Sequence, residues 1–424
     1  MLPPFASLRR VCYNPISPNA LTATHNPPAG FAFLVRNTSE QEEKFRSAFA
    51  ILEKTVAARA FPGCALAVTL RGELVAHYAV GRFTYDPASP VVTTASIFDL
   101  ASVTKAVATT TMAMILYERG LLDLEAPVAA ILPEFVGRSN HPSRREVTLR
   151  MLLAHSSGLP AYEKLFLKNT TREEVLAAAL TTHLTAEPGT RAEYSDIGFI
   201  ILGVALERLA DEPLDTFCQR EIFGPLGMSH TTYNPPKSWR DKTVPTADET
   251  SAEKCSAGAP TREPSTAPAT SSAGKFRNRV IQGEVQDENA SILGGVAGHA
   301  GLFAPVEDLA IFAHAMLTGG RPILRPETID LFTRRESQPE GTSRALGWDT
   351  PSSPSQSGKY FGSRSYGHLG YTGTSLWIDP DRQLSITLLT NRTWPDCQSQ
   401  AIKQVRPAFH DAVIEALKSQ GLIP

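Results

Sequence analysis

Strand signals cluster near the two ends of this chain, and that restricts how a core can close. Near the N-terminal end, Cys64–Leu70 and Glu73–Val80 are β-rich runs flanking Arg71-Gly72, a hairpin signal. Near the other end, Ser375–Asp379 and Leu384–Thr390 flank Pro380-Asp381-Arg382-Gln383, a second tight turn. Between them the chain reads mainly as helices and turns. Two separate hairpins are marginal alone, so the economical assembly is one antiparallel sheet built from both ends of the chain. Phe45, Phe49, Leu52 and Val56 mark an apolar helix face over Glu40–Ala58. Val405, Phe409, Val413 and Leu417 mark another near the C-terminus. These terminal helices are expected to cover the sheet. The fold class is therefore α/β of the α+β type.

The expected organisation is a Pro- and Asn-rich irregular lead-in over 1–37, an α/β domain made of 38–125 and 300–424, and a mainly helical domain over 126–299. Helices are expected at Ser102–Arg119, Val147–Ala154, Arg172–His183, Ile197–Ala210, Leu214–Gly227 and Glu307–Leu317. Leu124–Phe135 is broken by Pro127 and Pro133. Residues 251–274, dense in Ser, Ala, Thr, Pro and Gly, read as a flexible surface insertion.

A formal net charge of -2 over 424 residues leaves no electrostatic footprint for nucleic acid or an anionic membrane. No apolar run is long enough for a membrane span, and no apolar signal core stands out, so a cytoplasmic location is expected. Cys12, Cys64, Cys218, Cys255 and Cys397 are widely spaced and form no CxxC pair, which indicates neither a disulfide framework nor a zinc knuckle. No His-Glu-x-x-His or other metal spacing occurs, and no cofactor or metal is expected. Gly294–Gly301 is glycine-rich but lacks the Gly-Lys-Ser/Thr ending of a phosphate loop. Gly-x-Ser-x-Gly is absent, which argues against a nucleophile elbow.

The chemistry is expected at Phe98-Asp99-Leu100-Ala101-Ser102-Val103-Thr104-Lys105. Residues three apart share a helix face, so Ser102 and Lys105 would point the same way. A serine at a helix start sits where negative charge is favoured, and a desolvated lysine beside it could take its proton. Ser-x-x-Lys alone is a weak pattern. Two further stretches accompany it in order: Tyr194-Ser195-Asp196 before the apolar helix, and Gly367-His368-Leu369-Gly370-Tyr371-Thr372-Gly373-Thr374 before a C-terminal strand. Asp196 also reads as the N-cap of the following helix.

On these residues the chain resembles the class C β-lactamase and penicillin-binding-protein-like serine hydrolases, whose relatives carry Ser-x-x-Lys, Ser-Asp-Asn or Tyr-x-Asn, and Lys-Thr-Gly. Phe61-Pro62-Gly63, Leu152–Leu159, Gly295–Phe303 and Gly373–Pro380 add to the likeness, which runs from about Phe61 to Arg392. The resemblance implies a β-lactamase/transpeptidase-like fold and an acyl-enzyme on Ser102. Lys105 and Tyr194 together would take the serine proton, and the backbone N–H groups of Ser102 and Tyr371 would form the oxyanion hole. Asp196, His368, Gly370, Asp287 and Asn289 would line the substrate site. His368 could bind a substrate carboxylate and change charge near neutral pH. Three departures stand out. Asp196 replaces an amide donor and could pair with Lys105 instead. His368 replaces the third-motif lysine. Gln286 stands where a subgroup of muramyl amidases usually has histidine.

The function implied is hydrolysis of an ester or amide of a small or muropeptide-like substrate, with weak β-lactamase action possible. The alternative is an inactive member of the same fold that binds peptidoglycan fragments. No nucleic-acid partner is expected, and the chain is expected to be a monomer or weak homodimer.

Overall fold

The computed structural model describes residues 38–137, 142–250 and 276–424. The expectations for 1–37 and 251–274 therefore lie outside the described residues. The principal elements in chain order are α1 (Arg46–Ala57), β1 (Gly63–Leu70), β2 (Glu73–Gly81), α2 (Thr111–Glu118), α3 (Asp196–Ala210), α4 (Val306–Leu317), β3 (Tyr366–Leu369), β4 (Ser375–Asp379), β5 (Leu384–Thr390) and α5 (Ile402–Ser419).

One five-stranded antiparallel sheet runs in the order β2–β1–β5–β4–β3, so both ends of the chain do build it. β1 and β5 pair centrally, with Leu66 opposite Leu388 and Val68 opposite Ile386. The β1–β2 turn has Arg71 at φ 51° and Gly72 at φ 83°. Left-handed conformation at both positions matches the twist of a two-residue hairpin.

Every residue of β1 is buried, because both sheet faces are covered. Leu66 and Val68 join Phe45, Phe49, Leu52, Phe409, Val413 and Leu417 under α1 and α5. Ala65 and Ala67 face the other way, into the core that holds Leu309, Phe312 and Ala313 of α4. Their small size lets α4 lie close. Burying each leucine or valine contributes about 1.5–3 kcal/mol, so the terminal-helix layer is held mainly by apolar area.

The expected helix over Glu40–Ala58 is interrupted at Phe45, between Thr38–Lys44 and α1. The Ser102–Arg119 helix begins instead with a tight turn, continues through π-helical turns over Lys105–Thr110 and becomes regular only in α2. Strand β3 and a helix at Pro326–Thr333 add to the elements read from the sequence. Among the described residues no helix is long and apolar enough to cross a membrane. Cys64 and Cys218 are buried thiols, whereas Cys397 is disulfide-bonded, a link its isolated position in the sequence did not suggest.

Candidate active site

Ser102 lies at the bottom of a cleft of about 390 Å³, between the N-terminus of the π-helical segment and the edge strand β3. The residue before it, Ala101, has φ 47°. That left-handed conformation costs roughly 1–2 kcal/mol for a residue with a Cβ. Asp99 holds it there: its Oδ1 accepts the Ala101 N–H at 2.8 Å and its Oδ2 accepts the Gln286 N–H at 2.7 Å. Asp99 is fully buried, and burial pushes its carboxyl up to about 6 against these two hydrogen bonds.

Lys105 follows one turn later, with its Nζ 3.0 Å from Ser102 Oγ. The same ammonium donates to Asp196 Oδ1 at 2.6 Å and to the His299 carbonyl at 2.9 Å. Its three donors thus have three acceptors, inside a site where the lysine is completely buried. Burial lowers the Lys105 pKa, and Asp196 opposes the shift. Tyr194 Oη stands 2.6 Å from Ser102 Oγ, its ring 4.9 Å from the Lys105 ammonium. Burial, with Asp196 beside it, pushes the phenol well above its ordinary range, so Tyr194 rests protonated.

Asp196 is free to face Lys105 because it does not cap α3. Ser195 does, accepting the Gly198 N–H at 3.0 Å. The cap expected at Asp196 is one residue earlier. Glycine brings the third acceptor within reach. A Cβ on Gly298 would lie 2.1 Å from the Phe199 carbonyl of α3, and only that close approach seats His299 over Lys105.

On the opposite wall, Thr372 Oγ1 donates to the Asp99 carbonyl and Thr374 Oγ1 to the Leu100 carbonyl, at 2.8 and 2.9 Å. These bonds stitch the turn after β3 to the nucleophile loop just beyond Tyr371. A Cβ on Gly370 would come within 1.9 Å of Thr374 Oγ1 and 2.4 Å of the Leu100 carbonyl, so glycine is required there. Neither the Ser102 N–H nor the Tyr371 N–H has a hydrogen-bond acceptor among the described residues.

His368 lines the cleft but differs from expectation. Its Nδ1 donates to the Leu369 carbonyl at 2.9 Å, and burial, aided by Lys105, lowers its pKa to about 3. It is a neutral imidazole, so the expected charge change near neutral pH does not occur. Asp287 lines the cleft and meets His299 Nε2 at 2.9 Å. Burial pushes its carboxyl up, and His299, the Ala290 N–H and Lys105 outweigh that, leaving it below the ordinary value. Asn289 does not line the cleft. It is fully buried, with Oδ1 accepting from Phe166 N at 3.1 Å and Nδ2 donating to the Glu163 carbonyl at 2.8 Å, and it fixes a loop behind the wall.

His155 accepts the Ser195 N–H on Nδ1 and packs on Tyr194 at 4.7 Å between ring centres. It supports the tyrosine and does not face Ser102. No sequence signal marks Arg344, whose guanidinium sits 5.4 Å from the Tyr194 ring centre with Asp349 at 3.6 Å, nor Arg392 and Arg406 at the far end. Arg344 arrives from a loop without a pattern, and Arg406 from α5, whose periodicity marks only its apolar face.

Comparison with known proteins bears on this arrangement. The Beta-lactamase family profile matches residues 48–406. The N-acetylmuramyl-L-alanine amidase of Bacillus subtilis (strain 168) is 32% identical over 376 residues, 82% of this chain and 81% of that protein. A putative D-alanyl-D-alanine carboxypeptidase of Escherichia coli (strain K12) is 30% identical over 318 residues, 71% of this chain and 70% of that one. Among solved structures, EstCE1, described as a hydrolase with promiscuous acyltransferase activity, superposes with a TM-score of 0.69 at 21% identity, covering 88% of this chain and 99% of that one. At that identity the likeness establishes the β-lactamase/transpeptidase-like fold.

Proposed function

This chain belongs to the Beta-lactamase family and is a serine hydrolase, and from that premise we propose that it cleaves an amide bond in a peptidoglycan-derived, muropeptide-like substrate through an acyl-Ser102 intermediate. The observation that carries the mechanism is the double contact on Ser102 Oγ, with Tyr194 Oη at 2.6 Å and Lys105 Nζ at 3.0 Å. The two relatives at 30% identity or above, named as an amidase and a putative carboxypeptidase, support the substrate class.

Ser102 Oγ attacks the carbonyl carbon, and its proton passes to Lys105. Lys105 is the net acceptor once it has lost a proton and stands as the neutral amine, a form that burial favours while it moves Tyr194 away from the phenolate. The proton passes directly from Ser102 Oγ to Nζ at 3.0 Å, while Tyr194 Oη, 2.6 Å away, donates to Oγ and stabilises the alkoxide as it forms. The carbonyl oxygen becomes an oxyanion facing the N–H groups of Ser102 and Tyr371. Collapse breaks the C–N bond, and the leaving amine takes the proton back. Water then repeats the sequence on the acyl-enzyme, releasing the acid and free Ser102.

Two features weigh against efficient β-lactam hydrolysis. His368 is neutral where the related enzymes have a lysine, and Asp196 is committed to Lys105 and can only accept hydrogen bonds. A panel containing a muramyl peptide, a D-Ala-D-Ala peptide, a short p-nitrophenyl ester and nitrocefin tests the reading. Muramyl or D-Ala-D-Ala peptide should have the highest kcat/KM. Nitrocefin as the best substrate, or uncleaved muropeptide binding alone, would overturn it.

A further inference from the structure

The two backbone donors beside Ser102 are held by different means. The N–H of Ser102 is set by its own loop, through Asp99 and Ala101. The N–H of Tyr371 belongs to the Gly370–Tyr371 peptide, and that peptide is gripped at its other pole. Gly370 O accepts from Arg406 Nη2 at 2.6 Å and from Gly373 N at 3.0 Å. The same Nη2 donates to the Thr374 carbonyl at 2.8 Å, so one guanidinium nitrogen closes the turn at both ends.

A trans peptide is planar, with its C=O and N–H pointing in opposite directions. Holding the Gly370 carbonyl toward Arg406 therefore turns the Tyr371 N–H away from Arg406. Thr372 and Thr374, bonded to the Asp99 and Leu100 carbonyls, keep that N–H beside the nucleophile loop.

Arg406 belongs to α5 and is 5% exposed. It makes no ion pair with an acidic group among the described residues, and its Nε has no hydrogen-bond partner there. Burial, and Arg392 beside it, lower its pKa to about 9, which leaves it charged at neutral pH. A role confined to fastening α5 to the sheet would be served better by an apolar side chain, since a buried charge carries a large desolvation cost. Its donors are directed at carbonyls of the turn that carries Tyr371.

We propose that Arg406 is the positioning residue of the oxyanion hole: it grips the Gly370 carbonyl, aims the Tyr371 N–H at the acyl oxygen, and polarises that peptide so that its N–H is a stronger donor. The inference rests on the acyl-serine reading above. It adds a role for a residue that makes no hydrogen bond to Ser102.

The test uses the full chain and its best substrate from the panel. Arg406→Met should lower kcat by roughly 100-fold, the scale of losing one oxyanion donor, with KM changed by less than about 3-fold. Inhibition by an aryl boronic acid, whose tetrahedral adduct on Ser102 places an oxygen in the hole, should weaken by a similar factor. Arg406→Lys keeps a cation but only one well-placed bond, and should recover about a tenth of wild-type kcat. If Arg406→Met does not fold, the lysine variant carries the test alone. Phe409→Leu, in the apolar core of the same helix, serves as the stability control and should keep wild-type kcat. Arg406 variants with wild-type kcat and boronate affinity would overturn the proposal, as would a rise in KM alone or an equal kcat loss in Phe409→Leu. Wild-type protein that forms no boronate adduct and turns over nothing would instead overturn the acyl-serine reading.

Discussion

Lys105 and Arg406 are both cations withdrawn from water on opposite walls of one cleft, and they differ in what surrounds them. Lys105 has a carboxylate at 2.6 Å and a nucleophile at 3.0 Å. Arg406 has only carbonyl oxygens of the turn beside β3. The lysine is a group whose proton can move, because burial and Asp196 pull its pKa in opposite directions. The arginine keeps its proton at working pH and holds a shape. The contrast teaches that charge burial serves two ends in this site, proton traffic on the helix wall and geometry on the sheet wall.

Substitutions that exchange the two kinds of cation should separate these ends. The largest effect is expected at Lys105. Lys105→Met should lower kcat/KM by about 10³–10⁴-fold, and Lys105→Arg should be nearly as poor, because a guanidinium does not surrender its proton. An active Lys105→Arg enzyme would break the comparison. Next comes the sheet wall. Gly370→Ala forces a Cβ against Thr374 Oγ1 and the Leu100 carbonyl, and should cost roughly 100-fold in kcat while a covalent probe still reaches Ser102.

Asp196→Asn should give a smaller, pH-dependent change. Asp196 raises the Lys105 pKa, so removing its charge lets the amine lose its proton more readily. The rising limb of the pH–kcat/KM profile, which reports neutral Lys105, should move to lower pH. A limb that stays in place or moves up would assign the proton to another group. The smallest effect concerns stability. His410 is buried behind the oxyanion turn, and burial and Arg406 depress its pKa to about 3. A histidine whose pKa is lower folded than unfolded contributes stability that is present above about 6.5 and is lost as pH falls toward 3. Urea midpoints should fall over that window, and His410→Gln should flatten the slope at a cost of about 1 kcal/mol near pH 7.

Much of this was legible in the sequence where local chemistry decides the outcome. The two hairpins appeared because their β-rich runs meet at turn residues. Strand β3 did not, because Tyr366-Gly367-His368-Leu369 lacks β-branched residues and contains a glycine. That glycine is needed by packing: a Cβ on Gly367 would lie 2.5 Å from the Trp377 ring. Ser102, Lys105 and Tyr194 were found as ordered short patterns, and the structure brings them together. The π-helical turns after Ser102 leave no spacing signature. The capping misassignment at Asp196 arose because Ser195 and Asp196 are both good caps. The family resemblance of its stretch puts Asn289 in the cleft, whereas its amide is spent on Glu163 and Phe166. Arg406 was invisible because its meaning lies in a contact 36 residues away in sequence, with Gly370.

The central claim is that Ser102 becomes acylated with Lys105 taking its proton and Tyr194 stabilising the alkoxide. Intact-mass and peptide mass spectrometry after exposure to a fluorophosphonate tests its covalent step directly. One adduct on the Ser102 peptide is predicted for the wild type, absent in Ser102→Ala and formed far more slowly in Lys105→Met. An adduct of equal yield in Ser102→Ala, or on another residue of the wild type, would contradict it.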